Sequence, residues 1–217
     1  MKTIGILLSG CGVYDGVEIH EAVLTLLALD RKGAKVVCMA PDIDQYHVVD
    51  HLTGEATEEK RNVLIESARI TRGEIRNMKS VQASELDALI MPGGFGAAKN
   101  LSDFANKGKD AKPLPEVSRI ISEMADAGKP IGAICISPAV VVSVLSQKHP
   151  EVTIGSDLGT ADAIEGMGGV HKACTVDQIH IDGKNKIVTT PAYMLGPGIK
   201  EVAAGIEKLV DAVLELA

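Results

Sequence analysis

Apolar and polar positions alternate along the chain between two kinds of segment. Short runs that are apolar at nearly every position, TIGILLS (3–9), AKVVCMA (34–40), 86–91 and 130–134, stop at Gly, Pro or Cys. Such runs read as strands buried on both faces. The segments 17–32, 117–127 and 138–147 carry helical patterns, the first two closed by Gly33 and Gly128. The last segment is the clearest: Ile199, Val202, Ala203, Ile206, Leu209, Val210 and Val213 fall at steps of three and four and make one stripe. Further strands are predicted at 152–154, 175–181 and 186–190. Residues 42–60 are polar and irregular, the segment after Arg61 is mixed, and 97–115 reads as a surface excursion.

Fully apolar strands alternating with helices imply an α/β domain with a mostly parallel sheet covered on both faces. Right-handed crossovers put every strand's C-terminal end on one edge, where ligands bind in such sheets. That edge would collect Ser9-Gly10-Cys11-Gly12, Pro92-Gly93-Gly94 and Cys135, which are far apart in sequence. No repeat, low-complexity tract or linker divides the chain, so 1–217 is expected to be one domain.

Composition narrows the function classes. Aromatic residues make up 2% of the chain and tryptophan is absent, so the core must be aliphatic. A formal net charge of -7 argues against nucleic-acid or anionic-membrane partners. No apolar run approaches the roughly 18 residues a bilayer span needs, and MKTIGILLSG reads as a first strand, not a signal peptide. Cys11, Cys38, Cys135 and Cys174 are widely spread, with no CxxC pair and no zinc-site spacing. They are expected to be reduced thiols in a cytoplasmic protein without metal or cofactor.

The chemistry centres on KPIGAICISPAVVV (129–142). A strand passing directly into a helix forces a tight turn at Cys135. The helix N-terminus offers free N–H groups that favour a thiolate, the Ile136 N–H among them. The same position suits a packed, inert cysteine. Gly93 and Gly94 let backbone approach a ligand closely, with the Gly94 N–H as a second oxyanion donor; a tight turn is the plainer reading. Glu18 and Glu21 share a face in the first turn of a helix. They suit a helix N-terminus, and they also suit an acid facing Cys135 that shares its proton and serves as general acid and base. Cys11 is expected to line the site without chemistry. His20, His47, His51, His149, His171 and His180 show no ligand spacing.

YDGVEIHEAV, MPGGFGAAKNLSDFA and PIGAICISPA together resemble the class I glutamine amidotransferase-like superfamily, in its PfpI-type branch of cysteine proteases, glyoxalases and deglycases. The resemblance covers almost the whole chain. It implies a flavodoxin-like three-layer sandwich and a homodimer, with Cys135 as nucleophile, Glu21 touching it, Glu18 one turn earlier and Gly94 as the oxyanion glycine. It further implies a glutathione-independent glyoxalase acting on small aldehydes, glyoxal to glycolate, an activity that reflects protein deglycation. Two features depart from the branch. Ile136 stands where most catalytic members carry His, and Thr189-Thr190-Pro191-Ala192 stands where glutaminases carry His-x-Glu. These departures keep two other readings open. One is a redox-sensing or metabolite-binding protein linked to isoprenoid biosynthesis; the other is a degenerate amidotransferase.

Overall fold

The computed structural model describes all 217 residues. Eleven strands and eight α-helices follow one another as β1 Thr3–Leu7, α1 Ile19–Arg31, β2 Lys35–Ala40, β3 Val48–Val49, β4 Ala56–Thr57, α2 Val63–Ile70, β5 Arg76–Asn77, β6 Ala88–Met91, α3 Phe95–Lys99, α4 Phe104–Lys107, α5 Pro115–Asp126, β7 Ile131–Ile134, α6 Ser137–Leu145, β8 Glu151–Val152, α7 Leu158–Gly166, β9 Val170–His171, β10 His180–Asp182, β11 Ile187–Thr190 and α8 Ile199–Leu216. Seven strands form one sheet in the order β10-β11-β7-β6-β1-β2-β5. Every pairing in it is parallel except β10 with β11.

Strand pleating divides the core in two, because successive side chains point to opposite faces. Ile4, Ile6, Leu8, Ala88 and Ile90 pack with Leu29 of α1 and with Val202, Ile206 and Leu209 of α8. Leu7, Leu89, Met91, Ile131 and Ala133 pack with Val117, Ile120 and Met124 of α5 and with α6. The expected helix–sheet–helix sandwich is therefore present, and the largest fully buried side chains are all Ile, Leu or Met. No helix is long and apolar enough to cross a membrane.

Three expectations differ in detail, and one helix was not predicted. The strand expected at 152–154 is β8, which lies outside the main sheet and pairs with β9. The strand expected at 175–181 begins only at His180, beyond a turn. Helix α7 went unread because LGTADAIEG carries a glycine at each end and few apolar side chains; Asp157 caps it by accepting from the Thr160 N–H at 2.7 Å. Residues 97–115 are no simple surface excursion. They include α4 and most of α3, and Ala97, Ala98 and Leu101 are fully or nearly fully buried. Glycine, asparagine and lysine between these apolar residues hide the helical period.

Candidate active site

The parallel order brings the ends of β1, β6, β7 and β11 to one edge. Strand β7 enters α6 through Cys135, whose φ is +62°. A non-glycine residue in this left-handed region costs roughly 1–2 kcal/mol, so the surrounding structure must hold it there. The Cys135 N–H donates to the Thr190 carbonyl at 3.0 Å, tying the elbow to the end of β11. The Ser137 hydroxyl donates to the Pro92 carbonyl at 2.7 Å, tying α6 to the glycine loop. Held so, the Cys135 sulfur receives the N–H groups of Gly94 and Ile136.

Glu21, fully buried on α1, faces the same sulfur and shares a hydrogen bond with it. Its Oε2 accepts from the Gly93 N–H at 2.9 Å and its Oε1 from the Tyr193 N–H at 3.2 Å. Glu18 caps α1, its carboxylate accepting from the Glu21 N–H at 2.7 Å. Burial first, and the Glu18 charge second, push the Glu21 carboxyl up to about 8. Burial first, and the Glu21 charge second, push the Cys135 thiol well up, while the two amides pull it down. The repulsion exists only while both groups are ionised. The pair therefore sheds one proton as a unit and holds the other between sulfur and carboxyl.

Glycine is required beside this pair. Gly94 has φ +90°, and a Cβ there would sit 2.3 Å from the Glu18 nitrogen. Gly94→Ala is expected to lower stability by about 3 kcal/mol and to displace one N–H from the sulfur. Urea unfolding checks this; a loss below about 1 kcal/mol would show that the loop yields freely.

Cys135 opens onto a cleft of about 440 Å³, walled by Val13, Phe95, Phe104, Ile136, Tyr193 and Met194 among others. Glu18 and Gly94 line it too, so Cys135, Glu21, Glu18, Gly93, Gly94 and Ile136 are brought together. Cys11 is not among the lining residues, contrary to expectation. The loop after β1 folds back so that Gly16 accepts from the Gly96 N–H at 2.8 Å and Val13 accepts from Phe95 at 2.8 Å. Cys11 lies instead among Asp15, Glu66, Arg61 and Arg69, and burial raises its thiol.

Sequence reasoning missed Tyr193, which combines two roles. Its N–H holds Glu21, and its hydroxyl lies 2.7 Å from Nδ1 of His20, a residue passed over for lack of ligand spacing. The only visible signal was a lone tyrosine just after β11. No cluster of three or more His, Cys, Asp or Glu side chains is arranged to hold a metal ion.

Residues 11–154 match the profile of the DJ-1/PfpI family. The chain belongs to the DJ-1/PfpI family. Among curated proteins it is similar to the human glutamine amidotransferase-like class 1 domain-containing protein 3, mitochondrial, at 49% identity over 98% of this chain and 82% of that protein. The zebrafish ES1 protein, mitochondrial, is 34% identical over 88% of this chain and 76% of its own length. Among solved structures, an isoprenoid biosynthesis protein with an amidotransferase-like domain from Ehrlichia chaffeensis superposes with TM-score 0.93 at 41% identity, covering 100% of this chain and 99% of that one. A DJ-1 superfamily protein from Agrobacterium tumefaciens, at 18% identity and TM-score 0.58 over 100% and 96% of the two chains, shares the fold alone.

These relatives correct one expectation. The curated relatives, that of rat included, are named mitochondrial, which overturns the cytoplasmic location inferred from reduced thiols. Four unpaired cysteines suit any reducing compartment and cannot separate the two. DJ-1/PfpI proteins include glyoxalases and deglycases and are often dimers.

Proposed function

We propose that this DJ-1/PfpI protein is a cysteine-dependent glyoxalase, converting glyoxal to glycolate without glutathione and extending to protein deglycation. The hydrogen bond shared by buried Glu21 and Cys135, with two amides on the sulfur, carries this reading. The sequence motifs also resemble ElbB, a glyoxalase of this type. The sulfur attacks one aldehyde carbon, the C=O bond opens, and its oxygen takes a proton to give a hemithioacetal. Glu21 removes the hydrogen from that carbon; the freed electron pair forms an enediolate, and the hydroxyl proton on the first carbon passes to the second oxygen. Glu21 returns the proton to the second carbon, leaving a glycolyl thioester. Water then breaks the C–S bond, releasing glycolate and the thiol. One carbon is oxidised as its neighbour is reduced, so no external oxidant is used. Purified protein that consumes no glyoxal would end the proposal.

The water step needs a base, and no histidine follows Cys135. Tyr193 lines the cleft with its hydroxyl on His20. Burial, then Glu18, raises the phenol, keeping it protonated. Water passes a proton to the phenol oxygen while the phenol proton moves to His20. His20→Ala should slow hydrolysis by roughly 100-fold and let the thioester accumulate, where hydroxylamine traps it as a hydroxamate. Equal trapping in both proteins removes His20 from the mechanism.

A homodimer belongs to the same proposal. Ile19, Val23 and Leu27 form an exposed apolar stripe along α1 that a second copy would cover. Sedimentation showing only monomer at micromolar concentration would remove it. A link to isoprenoid supply is supported by the name of the Ehrlichia protein. One observation favours the sensing alternative: Ile136 stands where most catalytic members of the branch carry a histidine, so no base follows the sulfur. Sulfenic or sulfinic acid formed selectively at Cys135 by mild peroxide, without turnover, would replace the enzyme by a sensor. The degenerate amidotransferase draws no support from Thr189 and Thr190, which offer neither base nor carboxylate at the end of β11.

A further inference from the structure

The chain contains two phenylalanines and no tryptophan, so where they stand is informative. Both line the Cys135 cleft, with one of the three tyrosines beside them. Phe104 is buried in the cleft wall, and Phe95 stays 47% exposed, so part of its ring is free to meet an apolar ligand. Ile136, Met194 and Val13 continue the apolar wall. A volume of about 440 Å³ falls in the range of roughly 300–1,000 Å³ that encloses drug-sized ligands, far more than a two-carbon dialdehyde fills.

Charge points the same way. The charged side chains that line the cleft are both acids, Glu18, whose carboxylate is bonded to the Glu21 N–H, and Asp157, which is exposed. Lys99 lies outside the lining, its ammonium 4.5 Å from the Phe95 ring centroid and hydrogen bonded to the Tyr14 carbonyl. Carboxylate or phosphate on a substrate would meet two like charges in the lining, while the Lys99 ammonium is engaged by the Tyr14 carbonyl and His47.

We propose that the cleft selects uncharged α-oxoaldehydes carrying an apolar, planar arm of about phenyl size, and rejects anionic ones; the proposal rests on the glyoxalase reading. The two vicinal carbonyl carbons sit at Cys135 and Glu21, and the reaction runs as for glyoxal, giving a 2-hydroxy acid. The arm lies against Phe95, Phe104 and Met194, where ring stacking and burial add binding energy that glyoxal cannot draw on.

Phenylglyoxal, glyoxal and 4-carboxyphenylglyoxal compared on the whole protein test this directly. Phenylglyoxal should show kcat/KM at least tenfold above glyoxal, mostly through KM, and its carboxylate analogue should fall at least tenfold below phenylglyoxal. Phe95→Ala should narrow the phenylglyoxal-to-glyoxal ratio. Asp157→Asn, which keeps an oxygen to cap α7, should narrow the gap between phenylglyoxal and its carboxylate. Equal kcat/KM for all three aldehydes overturns the proposal. A binding measurement separates it from the parent reading. In Cys135→Ser protein, calorimetry should find mandelamide bound at least tenfold more tightly than glycolamide. If no aldehyde is turned over, the glyoxalase reading falls while this ratio still decides whether the cleft takes an apolar arm; equal affinities reject it.

Discussion

Cys135→Ser is expected to lower glyoxal turnover by roughly a thousandfold or more while the protein stays folded. A hydroxyl at this position ionises far less readily than a thiol, and no histidine lines the cleft beside it, His20 reaching the site only through Tyr193. The substitution keeps size and φ, so the elbow hydrogen bond to Thr190 is retained. Glyoxal loss measured beside an unchanged circular dichroism spectrum checks both halves. Equal rates in the two proteins would place the chemistry elsewhere and leave Cys135 as a packing residue.

Glu21→Gln carries the second large effect. The amide cannot carry a proton between carbons, so kcat should fall by roughly 10²- to 10⁴-fold. The same residue sets a pH signature. Its carboxyl is raised from 4.5 to about 8 in the fold. Below 4.5 both folded and unfolded chains hold the proton and no penalty arises. Between 4.5 and 8 only the fold holds it, so stability falls as pH rises, by up to about 1.4 kcal/mol per unit. Above 8 the loss is complete. Denaturant titrations across this window should show a negative slope in the wild type that Glu21→Gln lacks; parallel curves would mean the carboxyl is ionised throughout. Wild-type activity should climb toward pH 8, because the pair must shed a proton before sulfur attacks.

Several of these residues were legible in the chain. Gly93 and Gly94 follow an apolar run, Cys135 joins a strand to a helix, and Glu18 and Glu21 stand three apart in a first helical turn. Each is a local pattern, fixed by neighbours in sequence. The parallel order then brings them to one edge by a general rule of handedness. Helix α7 and the short helices of 95–107 were poorly legible because their periods are short and broken by glycine.

The aliphatic sandwich, the elbow and the acid on α1 are encoded locally, since burial period and turn chemistry are written in adjacent residues. The folded chain alone reveals that Cys11 lies among Glu66, Arg69, Asp15 and Arg61, that Tyr193 clamps Glu21 and engages His20, and that both phenylalanines line the Cys135 cleft. These partners are up to 173 residues apart. Their meeting depends on how loops fold back over a finished sheet, and no local period encodes that.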